Sequence, residues 1–350
     1  VPYIPDALER FIGKKIEKYA SAETAREMAM VAYQRALKLR KENDDIRMEY
    51  IIGIGLTCKL VKGEGERKGR KHEIYFASQS FLGSNSYSLK IKERFTREEE
   101  EKVASLLALY KIAELCDVHE NDTFMKCIHE RIEYSGDSHE EHAEVNEDTG
   151  KLLIDTLLST EYEEKKSILL FNEKMERPST YPKLILSASF YPCHKNHILM
   201  AEIASDKYHL PITFEMSLAN VDKPPIDFIS LDYRLKSLQK YMDNDFLDGM
   251  YLTNAPLFAD KAILFPNSRF IIGSDTLNRL FNEDYYRENE DKYTLIEHFK
   301  KFNARFVVFQ RKDIEPRVDE EILQICDIVP FEEYTDDGTS STKIRIENRN

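Results

Sequence analysis

His194 and His197 stand three residues apart at the head of an apolar-periodic stretch, Ile198 to Lys207. Before them, Leu184-Ile185-Leu186-Ser187 is a short apolar run with no internal Gly or Pro. Such a run reads as a buried parallel strand, and the stretch it feeds reads as a helix. The first turn of a helix presents unpaired N–H groups and a partial positive charge, so a loop ending in His-x-x-His there suits a polyphosphate. A second candidate lies far along the chain, Thr339-Ser340-Ser341-Thr342-Lys343-Ile344-Arg345. Consecutive hydroxyl residues are a strong N-cap signal. Their side chains and the N–H groups behind them suit phosphate oxygens, and Arg345 adds a charge-assisted donor. Both stretches point to nucleotide chemistry.

Phe190, Pro192, His194 and His197 resemble the GxFxPxHxGH signature of the adenylyltransferase/cytidylyltransferase superfamily, and residues 339–345 resemble its ISSTxIR motif. The chain carries Ala188 for the first glycine, Tyr191 for a usual asparagine or aspartate, and Asn196 for the glycine between the histidines. Asn196 is expected to narrow the site, since glycine there leaves room for backbone to approach phosphate. Ile272-Gly273-Ser274-Asp275-Thr276-Leu277 resembles the GxDxL segment of nicotinamide-nucleotide adenylyltransferases, and Asn220-Val221-Asp222-Lys223-Pro224-Pro225 their NxxxPP loop. TSSTKIR does not take the RTEGxST-like form of lipid cytidylyltransferases.

The resemblance implies a Rossmann-like doubly wound parallel sheet and adenylyl transfer from ATP to nicotinamide mononucleotide, or its acid, with release of pyrophosphate. His194 and His197 are implied as the catalytic contacts to the triphosphate. Ser189, Phe190, Gly273, Asp275, Ser340, Ser341, Thr342 and Arg345 are implied as ATP- and phosphate-binding, and Asn220 and Lys223 as acceptor-binding. Mg2+ would arrive with ATP, coordinated mostly by substrate and water, with no protein metal cage. The alternatives are nucleotidyl transfer to pantetheine phosphate or a phosphorylated alcohol, and a nucleotide-binding scaffold without turnover.

The elements that must position these residues fit a chain of 350 residues, long enough for about two domains. No run approaches the roughly 18 apolar residues of a membrane span, and no signal-peptide pattern opens the sequence. A cytoplasmic protein with no membrane partner is expected. The net charge of −13 disfavours a broad nucleic-acid surface. Much of the excess is local, with 17 acidic against 7 basic residues between Asp117 and Pro178. The five cysteines, Cys58, Cys116, Cys127, Cys193 and Cys326, form no CxxC pair, so reduced thiols are expected.

Residues 181–350 alternate strand and helix, with strands expected at Lys183–Ser187, Ile212–Leu218, Gly249–Leu252, Arg269–Gly273, Ala304–Gln310 and Ile328–Phe331. Ligands of such sheets bind beyond the C-terminal strand ends, where His194, Asn220, Asp275 and Ser340 would lie. Residues 119–180 read as an acidic linker with helices at Thr149–Ser159 and Glu161–Glu176. His139-Glu140-Glu141-His142, one residue too short for a zinc-binding HExxH, reads as solvated.

Residues 1–118 read as an α/β domain, with helices at Ala22–Lys41 and Arg97–Cys116 and strands at Ile51–Thr57, Glu73–Ser80 and Ser86–Phe95. Gly63, Gly65 and Gly69 precede a strand and lack GK[ST], so they read as a hairpin loop. The succession VPYI, SAETAREMAMVAYQRAL, GIGLTCKL, KGRKHEIYFASQS and FTREEEEKVASLLALYKIAELC resembles the C-terminal domain of the CinA family, known for nicotinamide-nucleotide amidase activity. In that family the nucleophilic serine would lie upstream of Val1. Tyr3 and Thr57 match family positions, while Leu8 and Cys58 stand where a lysine and a glycine are usual. The domain is therefore expected to be catalytically silent and to serve assembly, as in a homo-oligomer.

Overall fold

The structure, a computed structural model, describes residues 4–41, 47–62, 66, 69–92, 95–118, 123–158, 165–170, 184–219, 224–283, 286, 290–334 and 337–347. The chain forms two compact units. The first comprises Val1–Ile154 with Asp222–Ser230, the second Asp155–Val221 with Leu231–Asn350. The fold is mixed α/β, with a four-stranded antiparallel sheet in the first unit and a seven-stranded, mostly parallel sheet in the second.

In chain order the first unit holds α1 (Pro5–Ile12), α2 (Ala22–Lys41), β1 (Gly53–Lys59), β2 (Glu73–Gln79), β3 (Gly83–Ile91), α3 (Arg97–Leu115), α4 (Thr123–Ser135) and β4 (Gly136–Glu144). The boundary with the second unit falls inside α5 (Glu147–Leu158). Ala25, Ala29, Tyr33 and Leu37 recur every four residues and line the buried face of α2. That face lies directly on β1. A Cβ at Gly53 would collide with the Ala29 carbonyl, and one at Gly55 with the Ala25 carbonyl. The Gly-x-Gly of β1 is therefore a seat for a helix backbone.

A capping box starts α3, in which Thr96 Oγ1 accepts from the Glu99 N–H and the Glu99 carboxylate from the Thr96 N–H at 2.7 Å. Val103, Leu107 and Tyr110 then pack with Ile74, Phe76 and Leu89. Under this helix the fully buried Glu100 accepts from the Val61 N–H at 2.6 Å and lies 2.6 Å from His72 Nδ1. Of the glycines in the glycine-rich loop, Gly69 falls among the described residues, and Gly63 and Gly65 lie outside them.

The sheet runs β1-β2-β3-β4 with every neighbour antiparallel, so the first unit does not repeat a parallel strand–helix–strand layout. The acidic stretch also departs from the expected linker, because α4 buries Met125, Ile128 and Ile132 in the core and β4 pairs along nine residues of β3. His139, Glu140, Glu141 and His142 sit on this edge strand with exposed side chains. With no apolar face the strand gives no periodic signal; backbone pairing with β3 recruits it, together with the Lys111 Nζ hydrogen bond to Glu140 Oε1 at 2.9 Å.

The second unit holds β5 (Ser167–Leu170), β6 (Leu184–Ser187), α6 (Lys195–Tyr208), β7 (Ile212–Ser217), α7 (Phe228–Gln239), β8 (Leu247–Thr253), α8 (Phe258–Leu264), β9 (Arg269–Gly273), α9 (Ser274–Leu280), α10 (Lys292–Lys301), β10 (Arg305–Phe309), α11 (Glu320–Leu323), β11 (Cys326–Val329) and α12 (Ser341–Glu347). The first turn of α7 counts with the first unit. The strand order is β11-β10-β9-β6-β7-β8-β5, parallel throughout except for β5 against β8. All six expected strands are present. Helix was expected over Glu161–Glu176, but the described part of that stretch contains β5, whose apolar Ser-Ile-Leu-Leu run pairs with the edge of β8. Ile185, Phe270, Phe299, Phe306 and Val308 form the core that fixes the strand ends. No described helix is long and apolar enough to cross a membrane.

Candidate functional site

Three connections leave the C-terminal ends of β6, β9 and β10, and each carries polar residues of the candidate site. After β6 the chain stays tied to the sheet, since the Ala188 N–H donates to the Glu215 carbonyl at 3.1 Å. Phe190 then takes a left-handed conformation, φ 46°, that buries its ring against Phe214. The Tyr191–Pro192 peptide bond is cis. Cys193 follows; its N–H donates to Ser237 Oγ at 3.0 Å, and burial pushes its thiol up to about 12. Ser189 is exposed at the crest of the loop.

His194 caps α6 and is buried, while His197, one turn in, is half-buried. Their rings stack with centroids 3.8 Å apart, and Phe190 meets His197 edge-on at 5.3 Å. The His194 N–H donates to His197 Nδ1 at 3.3 Å, which assigns the proton of a neutral His197 to Nε2. Burial, then the neighbouring His194, then the positive charge of Arg311 lower the His197 imidazole to about 3, so it is uncharged at neutral pH. His197 is thus a neutral donor at the positive end of a fourteen-residue helix.

The distant C-terminal motif meets this loop. Asn196 is buried and donates from Nδ2 to Asp337 Oδ1 at 3.0 Å and to the Thr339 carbonyl at 3.2 Å. It was expected to crowd a ligand; its amide instead ties the two motifs, a hydrogen bond that glycine cannot make. Lys195 pairs with Asp337, which also accepts from the Thr339 N–H at 2.9 Å. The Lys195 hydrogen bond foremost, then those from Thr339, hold the Asp337 carboxyl well below the usual carboxylate range. Ser341 Oγ donates to the Pro192 carbonyl at 2.9 Å, and Ser340 Oγ accepts from the Lys343 N–H at 3.3 Å as the cap of α12.

Arg345 donates from Nη1 to the Tyr191 carbonyl and lies 4.8 Å from the Tyr191 ring centroid. Arg234 lies 4.5 Å from the same ring and donates to the Ser189 carbonyl at 2.9 Å. Tyr191 is therefore the aromatic seat of two guanidiniums. Thr342 lies in α12, but its side chain is outside the described residues, as are Asn220 and Lys223.

Gly273 ends β9 and Asp275 lies in the first turn of α9, whose cap is Gly273. A Cβ at Gly273 would stand 2.5 Å from Asp275 Oδ1 and 2.9 Å from Arg311 Cδ, so this glycine admits the arginine stem. Arg311, two residues past β10, stands 3.8 Å from Asp275 Oδ1 and donates to the Thr339 carbonyl at 3.4 Å. Its own N–H donates to Ser274 Oγ at 3.0 Å. Sequence reasoning passed over Arg311, Asp337 and Lys195. The signal for Arg311 was its place just beyond the C-terminal end of a parallel strand. Among the described residues no group of three His, Cys, Asp or Glu side chains is arranged to hold a metal ion. The protein-family models and the curated proteins compared with the chain include none that matches it.

Proposed function

We propose that the second unit is a nucleotidyltransferase that moves AMP from MgATP to nicotinamide mononucleotide or its acid. The observation that carries this reading is the meeting of two segments 143 residues apart, joined by Asn196 to Thr339 and by Ser341 to Pro192, beside the stacked imidazoles. In this reading the seven-stranded sheet is Rossmann-like, and the first unit is a CinA-type domain that serves assembly.

The reaction asks little covalent help of the protein. An ionised phosphate oxygen of the acceptor attacks the α-phosphorus, the new P–O bond forms as the α–β bridging bond breaks, and pyrophosphate departs with the electron pair. No proton has to move, so positioning and charge stabilisation dominate. Neutral His197 offers Nε2–H to a phosphate oxygen, and the N-terminus of α6 adds its N–H groups. Magnesium enters with the triphosphate as part of the substrate.

A specific observation favours a second reading, a nucleotide-binding scaffold without turnover: the side chains of Asn196, Ser341 and Arg345 all hydrogen-bond protein groups. Pyrophosphate release measured with ATP or CTP against a panel of acceptors separates the two. Release with ATP and a nicotinamide-type mononucleotide supports transfer. Thermal stabilisation by MgATP with no release for any acceptor supports the scaffold.

A further inference from the structure

The seven-stranded sheet carries a second polar cluster at the strand ends opposite the candidate site. Arg269 opens β9 and Arg305 opens β10, and the two are register partners on neighbouring parallel strands, about 4.8 Å apart with side chains on one face. On that face they meet Asp327 of β11, with Arg269 Nε 3.9 Å from Oδ2 and Arg305 Nη2 3.7 Å from Oδ1. Tyr208, the last residue of α6, donates its hydroxyl to Asp327 Oδ2 at 2.8 Å. The Arg269 guanidinium lies against this hydroxyl and 5.0 Å from the ring centroid. We propose that Arg269 and Arg305 form an oxyanion site for phosphate or a phosphate monoester, separate from the candidate nucleotide site and independent of the nucleotide reading.

One carboxylate is shared here among three donors, and the tyrosine is the one that reaches it at hydrogen-bond length. Both arginine contacts to Asp327 lie beyond that length, and two guanidiniums leave a positive charge that one carboxylate does not neutralise. Burial foremost, then Asp327, push the Tyr208 hydroxyl up to about 12, so it stays protonated and adds no charge. Nε of each guanidinium is buried without a hydrogen-bond partner among the described residues, an unfavourable state for a charged donor. The side chains are 34% and 37% exposed, so a small solute reaches the outer edges of both planes. A tetrahedral dianion offers oxygens to both forks at once and matches their combined charge.

Arginine side-chain NMR of the full chain, titrated with inorganic phosphate at constant ionic strength, tests the site. The Nε–H signals of Arg269 and Arg305, assigned from the Arg269→Lys and Arg305→Lys variants, are expected to shift along one common binding curve. Arg269→Gln and Arg305→Gln are each expected to weaken that binding about tenfold or more, read on the arginine that remains. Asp327→Asn separates a site from a tie internal to the fold. Removing the competing carboxylate is expected to tighten phosphate binding about threefold or more, and to enlarge the rise in melting temperature that phosphate gives. If a Gln variant does not fold, its Lys counterpart decides: it must lose about threefold or more, because an ammonium does not present the paired donors of the fork. No common shift of the two signals at about 10 mM phosphate, an equal shift with chloride at the same ionic strength, or no tightening in Asp327→Asn overturns the proposal. Each of these outcomes leaves the nucleotide reading intact, since none is read at the imidazole pair.

Discussion

His72 in the first unit and His197 in the second are both half-buried, yet the charges around them have opposite signs. His72 Nδ1 lies 2.6 Å from Glu100 and Nε2 2.9 Å from Glu66, and Arg70 stands 3.5 Å from the same Glu66 carboxylate. Every partner of that cluster belongs to the fold. His197 faces a stacked imidazole and the field of a guanidinium, and burial among them keeps it neutral. A histidine between carboxylates is a structural tie that is complete by itself. A histidine among donors and cations suits an anion that the fold does not supply.

The largest expected effect breaks the first cluster. Glu100→Ala removes a buried carboxylate and strands the Val61 N–H and the His72 ring, so unfolding in urea should show a loss of about 3 kcal/mol. A loss under about 1 kcal/mol would mean that solvent reaches the cluster freely. In the second cluster the parallel change acts on chemistry: His194→Ala should lower pyrophosphate release roughly 10²-fold. A reduction below about threefold would reassign that ring to structure.

Asn196→Gly restores the family's residue and deletes the tie to Asp337 and Thr339. It should lower stability by about 1–2 kcal/mol, read as a lower urea midpoint at unchanged slope. A variant as stable as the parent, with higher turnover, would show the asparagine to be the obstruction first expected.

The last effect is in pH dependence. The His197 pKa is lowered on folding from an ordinary 6.5 to about 3. Between these values the unfolded chain holds the proton and the folded chain does not. The contribution is therefore fully present above pH 6.5 and is lost as pH falls toward 3, by at most about 1.4 kcal/mol per pH unit. His197→Phe should flatten the stability profile in that window, whereas a profile of unchanged slope would place the titration elsewhere.

Strands whose residues are apolar on both faces were legible before any coordinates, as Leu184–Ser187 and Arg305–Phe309 illustrate. So were the capped helices Ala22–Lys41 and Arg97–Leu115. The strand Gly136–Glu144 was not, because alternating charged residues on both faces carry no period for burial to read. Within the site, the histidine pair and the hydroxyl run announced themselves by helix-start chemistry. Arg311 carried only its place just past the end of β10, since its partners Asp275 and Thr339 are 36 and 28 residues away along the chain.

By itself, then, the sequence determined the strands and helices that carry an apolar run or period and which side chains stand at helix entrances, because burial periodicity and capping are set by near neighbours along the chain. Tertiary structure alone decided that Asn196 ties Asp337 and Thr339, that Arg345 lies on Tyr191, and that Arg311 reaches Asp275 and Thr339. A long polar side chain has many possible partners of similar strength, and only the packing of the sheet determines which of them come within hydrogen-bonding reach.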